Sequence, residues 1–173
     1  MFYRTSSGVV IGVLNDYDLS STRNVPTGQE RTGTVPFMAI ALLTKAAVAG
    51  KVEHLYMHDA ESFIWVLTWV CLRYEDGKLL RQGRPLDSWL AVDANRCREK
   101  KNDFMSTTLR DESVHPSRSH QENWAVVLKC FEVVWLNYGP SRKYENMTDR
   151  EIFRFWLQDH VKGHLPDDLV FDE

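Results

Sequence analysis

The stretch HDAESFIWVLTWVCLR, His58 to Arg73, decides the fold. It opens on Asp59, a residue whose carboxylate suits an N-cap, where it can accept bonds from the first turn's unpaired backbone N–H groups. Nine apolar residues follow (Phe63, Ile64, Trp65, Val66, Leu67, Trp69, Val70, Cys71 and Leu72), interrupted only by Thr68. A helix carrying this run is apolar on every side, so it belongs in a membrane or in the middle of a sizeable domain. A bilayer needs about 20 apolar residues, and the run is shorter. The sequence therefore predicts a central core helix over 58–73, with other elements packed all round it.

Composition agrees with a core of that kind. The chain has 173 residues, 43% of them hydrophobic, with six Trp, eight Phe and six Tyr. That is material for one globular domain rather than a disordered chain. The formal net charge of −3 provides no global basic field for nucleic acid or an anionic membrane surface, so neither is expected as a partner. The three cysteines, Cys71, Cys97 and Cys130, are widely spaced and form no CxxC or Cys/His zinc pattern. They point to a reducing intracellular setting, cytoplasm or nucleus. No apolar signal core opens the chain and no lipidation box closes it.

Working outward, Met1–Arg4 and Val9–Leu14 are short strand-like runs separated by Thr5-Ser6-Ser7-Gly8, a hairpin signal. The second run ends at Asn15-Asp16-Tyr17-Asp18. Leu19–Thr32 is polar, lacks apolar periodicity and reads as a long exposed loop. Pro36–Leu43 is expected as a short apolar helix, and Lys45–Met57 as a connector into the central helix. Beyond Arg73, Tyr74–Pro85 is turn-rich. Leu86–Val92 looks helical, Ala94–Met105 continues as a charged helix, and Thr107–Ser119 reads as a loop. The run Arg96–Lys101 reads as a solvated basic face, with a docking patch as the lesser alternative.

Gln121–Tyr138 places Trp124, Val127, Leu128, Phe131 and Trp135 on one helical face, and Gly139-Pro140 ends it. Thr148-Asp149-Arg150-Glu151 is a capping-box pattern opening a last helix to about His160, stopped by Gly163. His160 and His164 straddle that stop and make a poor metal pair. The expectation is a mainly α domain with one N-terminal β-hairpin.

Three pieces, in order, carry a resemblance: Asn15-Asp16-Tyr17-Asp18 at a strand end, Gly33-Thr34-Val35-Pro36-Phe37-Met38-Ala39, and Asp59-Ala60-Glu61-Ser62-Phe63 heading the apolar helix. Together they resemble the large (C-terminal) lobe of a protein kinase, and more narrowly the fungal-type protein kinase domain, whose metal-binding triplet typically ends in Asp rather than Gly. The likeness runs from Met1 to about Leu72 and continues more weakly over Ser88–Phe104. It implies a partial kinase-like domain over 1–165: an activation-segment hairpin and loop at 1–45, the central helix at 58–73, C-terminal helices at 86–160, and a tail at 166–173.

The resemblance also implies roles. Asp16 stands where the family holds Mg²⁺ against the ATP phosphates, which suits a hard cation that takes carboxylate and phosphate oxygens. Tyr17 stands where an aromatic sets that Asp. Leu19–Thr32 would be the activation loop, with Ser20, Ser21, Thr22, Thr27 and Thr32 as candidate phosphorylation sites or simply solvated residues. Thr34 matches the threonine that helps seat the catalytic base and the substrate. Asp59 matches the acid that supports the catalytic-loop backbone. Ala39-Ile40-Ala41 falls where many kinases have Ala-Pro-Glu, so Ala41 cannot make the usual ion pair of that Glu with a later Arg.

The chain contains no Gly-rich GxGxxG loop, no Val-Ala-Ile-Lys lysine and no His-Arg-Asp catalytic loop. The small (N-terminal) lobe and catalytic base are thus missing, and no catalytic residue is assigned in this chain. Because the sequence begins inside a hairpin strand, an incomplete domain is expected. The function implied is that of a large-lobe fragment of an ATP-dependent Ser/Thr-type kinase acting on proteins, inactive alone. The alternative is a pseudokinase-like, non-catalytic module that binds protein partners. Asp16 read by itself is also an ordinary turn residue.

Overall fold

The structure is a computed structural model, and it describes residues 2–12, 33–111, 113–138, 148 and 151. The N-terminal hairpin forms as expected: β1 (Phe2–Arg4) pairs antiparallel with β2 (Val10–Gly12), placing Tyr3 opposite Ile11. The intervening loop is closed by Gly8 N–H to Thr5 C=O at 2.9 Å and Thr5 N–H to Val9 C=O at 2.8 Å.

The expected helix at Pro36–Leu43 is instead two 3-10 turns, Val35–Phe37 and Ile40–Leu43. Met38 and Ala39 between them are extended, with ψ near 146° and 147°, so the α-ladder cannot run through. A one-turn helix, α1 (Lys45–Val48), follows inside the expected connector. Thr44 caps it, its hydroxyl accepting from Ala47 N–H at 3.1 Å.

The central helix is α2 (Tyr56–Arg73). It begins earlier than expected, and Asp59 is not its N-cap. Leu55 holds that position: its C=O accepts from His58 N–H at 2.9 Å, and its own N–H donates to His58 Nδ1 at 3.0 Å. The imidazole does from N3 what a carboxylate does in a capping box. This leaves Asp59 exposed in the first turn.

Nor is α2 buried all round. Its inner face is Ala60, Glu61, Ile64, Trp65, Thr68, Cys71 and Leu72, whereas Phe63 and Val66 are 58% and 40% exposed. Among the described residues no helix is long and apolar enough to cross a membrane.

A second hairpin follows at once, which corrects the expectation of one: β3 (Tyr74–Glu75) pairs antiparallel with β4 (Lys78–Leu79). Its two-residue turn, Asp76-Gly77, has positive φ at both positions (48° and 74°), the arrangement for which Asp-Gly is favoured in tight hairpins. Leu86–Val92 shrinks to one 3-10 turn, Asp87–Trp89, entered through a left-handed Leu86 with φ of 71°.

Helix α3 (Ala94–Arg110) begins at an Asp93 cap, whose carboxylate accepts from Arg96 N–H at 2.9 Å, and runs past the expected end into the segment read as a loop. Helix α4 (Gln121–Tyr138) has the bounds that the sequence predicts. Its buried face is Trp124, Val127, Cys130, Phe131, Val133 and Val134, while Trp135, expected inside, is 39% exposed. Beyond α4, Thr148 N–H and Oγ1 both donate to Glu151 Oε2 at 2.7 Å, the expected capping box. These bonds hold the Glu151 carboxyl below its ordinary range. His160, Gly163 and His164 lie outside the described residues.

One buried cluster gathers Ile40 and Leu43, the inner face of α2, Trp89, Cys97 and Met105 of α3, and the inner face of α4. At its centre four rings close a circuit. Trp65 contacts Trp89 (5.7 Å between centroids) and Phe131 (5.1 Å), and Phe104 contacts Trp89 (5.7 Å) and Phe131 (6.1 Å). Such pairs add about 0.5–1.5 kcal/mol each beyond their buried area. All three cysteines are buried and free, so none supplies a crosslink.

The two faces of α2 should respond differently to truncation. Ile64→Ala is expected to cost about 2–5 kcal/mol of unfolding free energy, whereas Phe63→Ser should change it by less than about 0.5 kcal/mol. Urea titrations followed by Trp fluorescence separate the two; equal losses would show that Phe63 is covered in solution.

Candidate functional site

The candidate site is where the 33–43 segment meets α2. Thr34 opens the first 3-10 turn. Its C=O accepts from Phe37 N–H at 2.8 Å, while its hydroxyl makes no capping bond and its side chain is exposed. The turn is fixed beneath it: Pro36 is buried, and Phe37 stands edge-on to Trp69 of α2 with centroids 5.3 Å apart.

Two buried charged residues then grip the extended joint between the turns. Glu61, 1% exposed on α2, accepts from Ile40 N–H at 2.8 Å and from Trp65 Nε1 at 2.9 Å through one carboxylate oxygen. Lys101, fully buried on α3, donates from Nζ to Met38 C=O and sits 4.3 Å from the Trp65 ring centroid. The grip falls on main-chain groups that the two 3-10 turns leave unpaired, and buried backbone groups of that kind need partners.

Burial brings the Lys101 ammonium down to about 7, while the charges of Glu61 and Cys97 pull the other way. Burial also raises the Cys97 thiol, against the pull of Lys101 and Lys100.

Lys101 corrects the reading of Arg96–Lys101 as a solvated face. Arg96 is solvated, paired with Glu99 at 2.7 Å, but Lys101 lies in line with buried Cys97, Met105 and Thr108 on the inner face of α3. A signal for this was present, since a lysine four residues from Cys97 and four from Met105 shares their helical face. Glu61 carried a similar signal, standing four residues before Trp65 and seven before Thr68.

Asp59 faces solvent and pairs with His54 at 2.9 Å, both side chains being more than half exposed. An exposed pair of this sort contributes at most about 1 kcal/mol. Phe37 docks on Trp69, ten residues and therefore about 15 Å of helix rise beyond Asp59, so Thr34 and Asp59 belong to different levels of α2. Ala41, in place of the motif's Glu, is half-buried and offers only its C=O, which accepts from Thr44 Oγ1 at 3.0 Å. The buried charges near this segment are instead Glu61 and Lys101. Asp16, Tyr17, Asp18 and the candidate phosphorylation sites Ser20, Ser21, Thr22, Thr27 and Thr32 lie outside the described residues.

Among the described residues no three His, Cys, Asp or Glu side chains stand together as a metal site. A cavity of about 730 Å³ is lined wholly by residues from Leu72 onward, with none from the segment around Thr34. No catalytic step is assigned to the described residues.

Residues 3–71 match the family model described as fungal protein kinase. That stretch, from the first hairpin to near the end of α2, is similar to a segment of a fungal-type protein kinase domain. The residues from Leu72 onward, including Ser88–Phe104, lie outside the match. No curated protein and no solved structure matches the chain significantly.

Lys101 gives the fold a testable pH signature. Its native pKa lies below the 10.5 of an ordinary lysine, so the unfolded chain binds more protons between about pH 7 and 10.5, and stability rises with pH across that window. Below about pH 7 both states are protonated and the penalty is felt in full. Burial pushes Cys71 to about 11 and Cys130 to about 12, above the ordinary 9.0, so those thiols favour unfolding only above about pH 9. Urea midpoints should therefore increase from pH 7 to 9 in the native chain and stay level in Lys101→Met. Glu61→Ala, which strips Ile40 N–H and Trp65 Nε1 of their acceptor, should cost about 3–5 kcal/mol. A loss below about 1 kcal/mol would show that Glu61 does not hold the segment.

Proposed function

We propose that this chain is the large-lobe portion of an ATP-dependent protein kinase of the fungal type. The complete domain moves the γ-phosphoryl group of ATP onto a protein hydroxyl, serine or threonine in preference to tyrosine. The observation that carries the reading is the family match over residues 3–71, which spans all three motifs in their order.

On this reading Asp16 is the Mg²⁺ ligand, Thr34 seats the catalytic base and the protein substrate, and Asp59 supports the catalytic-loop backbone. The exposed Thr34 hydroxyl, on a turn pinned from below, suits a seat for another chain. Phosphoryl transfer depends on positioning and charge stabilisation shared among many groups. The sequence contains neither the phosphate-anchoring lysine nor a His-Arg-Asp base, so the chain by itself is inert.

A second reading, a non-catalytic module that binds protein partners, draws support from the core that the chain closes on its own around Trp65 and Phe131. The open stripe of Phe63 and Val66 on α2 favours the first reading, because a complete domain offers more chain to cover it.

Incubated with radiolabelled ATP, Mg²⁺ and a generic protein substrate, the purified chain should transfer no label above background. Supplied with the separately expressed small lobe and catalytic loop of a fungal-type kinase, it should restore transfer, and Asp16→Ala should reduce that at least a hundredfold. Transfer by the chain alone that vanishes in Asp16→Ala would disprove its inertness. Failure of a folded, monomeric, cooperatively unfolding chain to complement would favour the interaction module.

A further inference from the structure

The cavity of about 730 Å³ lies outside the family match, at the C-terminal end of α2. Two segments wall it. The first is the loop Arg81-Gln82-Gly83-Arg84-Pro85 running to Asp87; the second is Ser113-Val114-His115. Leu72 contributes an apolar floor.

Both walls are tied down. Arg73, 4% exposed and stacked 3.8 Å above the Trp69 ring, donates to Pro85 C=O at 2.9 Å and pairs with Asp87. This fastens the first wall to α2. The second is stitched in place just beyond His115: Ser117 N–H donates to Cys71 C=O at 2.9 Å, and Ser117 Oγ donates to Tyr74 C=O. Arg118 N–H donates to Glu75 Oε2 at 2.9 Å, and Asp76 N–H to Ser119 Oγ at 3.1 Å. The hollow is therefore built by the fold rather than left between loose loops.

Among the described residues, its lining carries more cations than carboxylates. Asp87 is matched by buried Arg73 and reaches Arg84 only at 3.6 Å. Arg81 makes no ion pair among the described residues and is exposed at the rim. Among the described residues the other carboxylate beside this wall, Asp111, accepts from Ser113 N–H at 3.0 Å; Glu112 lies outside them. Among the described lining residues two guanidinium groups, Arg81 and Arg84, thus stand against the one carboxylate of Asp87, with Gln82, Ser113 and His115 beside them as hydrogen-bonding groups. The concentration stands out in a chain whose net charge is −3.

Guanidinium forks match phosphate oxygens in geometry and charge, and a phosphate monoester carries about −1.5 to −2 near pH 7. We propose that this hollow binds a phosphate monoester, with Arg81 and Arg84 as its charged ligands and Gln82, Ser113 and His115 as flanking donors. The site is independent of the kinase reading, because it shares no residue with Asp16, Thr34 or Asp59.

The test is a calorimetric titration of the full chain with four probes: a phosphoserine peptide, the same peptide unphosphorylated, its glutamate version, and inorganic phosphate. Phosphorylated probes should bind. Arg81→Ala and Arg84→Ala should each weaken binding about tenfold or more, and Arg81→Lys should recover part of the loss. Circular dichroism checks that the variants stay folded, as the exposure of both side chains leads one to expect. Binding of the phosphopeptide far above inorganic phosphate would identify a phosphorylated protein segment as the occupant. Equal binding of the two, lost together in the double variant, would identify the phosphate group alone. The proposal is overturned if the folded chain binds no phosphorylated probe at millimolar concentration. It is equally overturned if the glutamate peptide binds as well as the phosphopeptide, or if Arg81→Ala with Arg84→Ala leaves binding unchanged.

Discussion

Two charged side chains, sealed in the core, hold a three-residue length of backbone. Glu61 takes the N–H of Ile40 and Lys101 gives to the C=O of Met38, and most of the remaining arrangement depends on that hold. It joins α2, α3 and the 33–43 segment at one point, beside the circuit of Trp65, Trp89, Phe104 and Phe131. Burying ions is costly, and such an arrangement contributes more to fixing one geometry than to raising net stability. Here the geometry fixed is that of the turn bearing Thr34. An apolar pair in place of Glu61 and Lys101 would fill the same volume but leave an N–H and a C=O without partners.

The rest of the fold serves the same joint. His58 closes the N-terminus of α2 from within the helix, which sets the depth at which Glu61 enters the core. Phe37 against Trp69 fixes the other end of the segment. At the far end of α2, Arg73 repeats the device with its guanidinium laid on Trp69 and its Nη1 shared between Pro85 C=O and Asp87. Trp69 thereby serves two neighbours: Phe37 from the first segment and Arg73 from its own last turn.

How much of this was legible in the sequence depended on the range of the interaction concerned. Helix α4 was readable to the residue, because its apolar spacing and the Gly139-Pro140 stop are both local. The first hairpin and the Thr148–Glu151 cap were readable for the same reason. The cap of α2 was not, since Asp59 has the better side chain for the task and only the position of the Leu55 backbone hands it to His58. The hairpin of β3 and β4 was missed although Asp76-Gly77 announces it, because its strands are only two residues long. The charged hold was missed because charge in a sequence suggests solvent, and only the registry of Lys101 with Cys97 and Met105 contradicts that. The three motifs pointed to the family whose model matches residues 3–71. Besides the residues they single out, the buried carboxylate of Glu61 grips the neighbouring segment.

The hold on residues 38–40 is made through peptide groups, so it is indifferent to which side chains the gripped residues carry. Every residue but proline at position 40 presents the same N–H to Glu61, and every residue at position 38 the same C=O to Lys101. Ala39 and Ile40 stay in the core, whereas exposed Thr34 on the adjoining turn can exchange its side chain, the one another molecule would meet, without loosening that attachment. A scaffold so built separates the part of the chain that must stay constant, two charges in the core, from the part that can diversify.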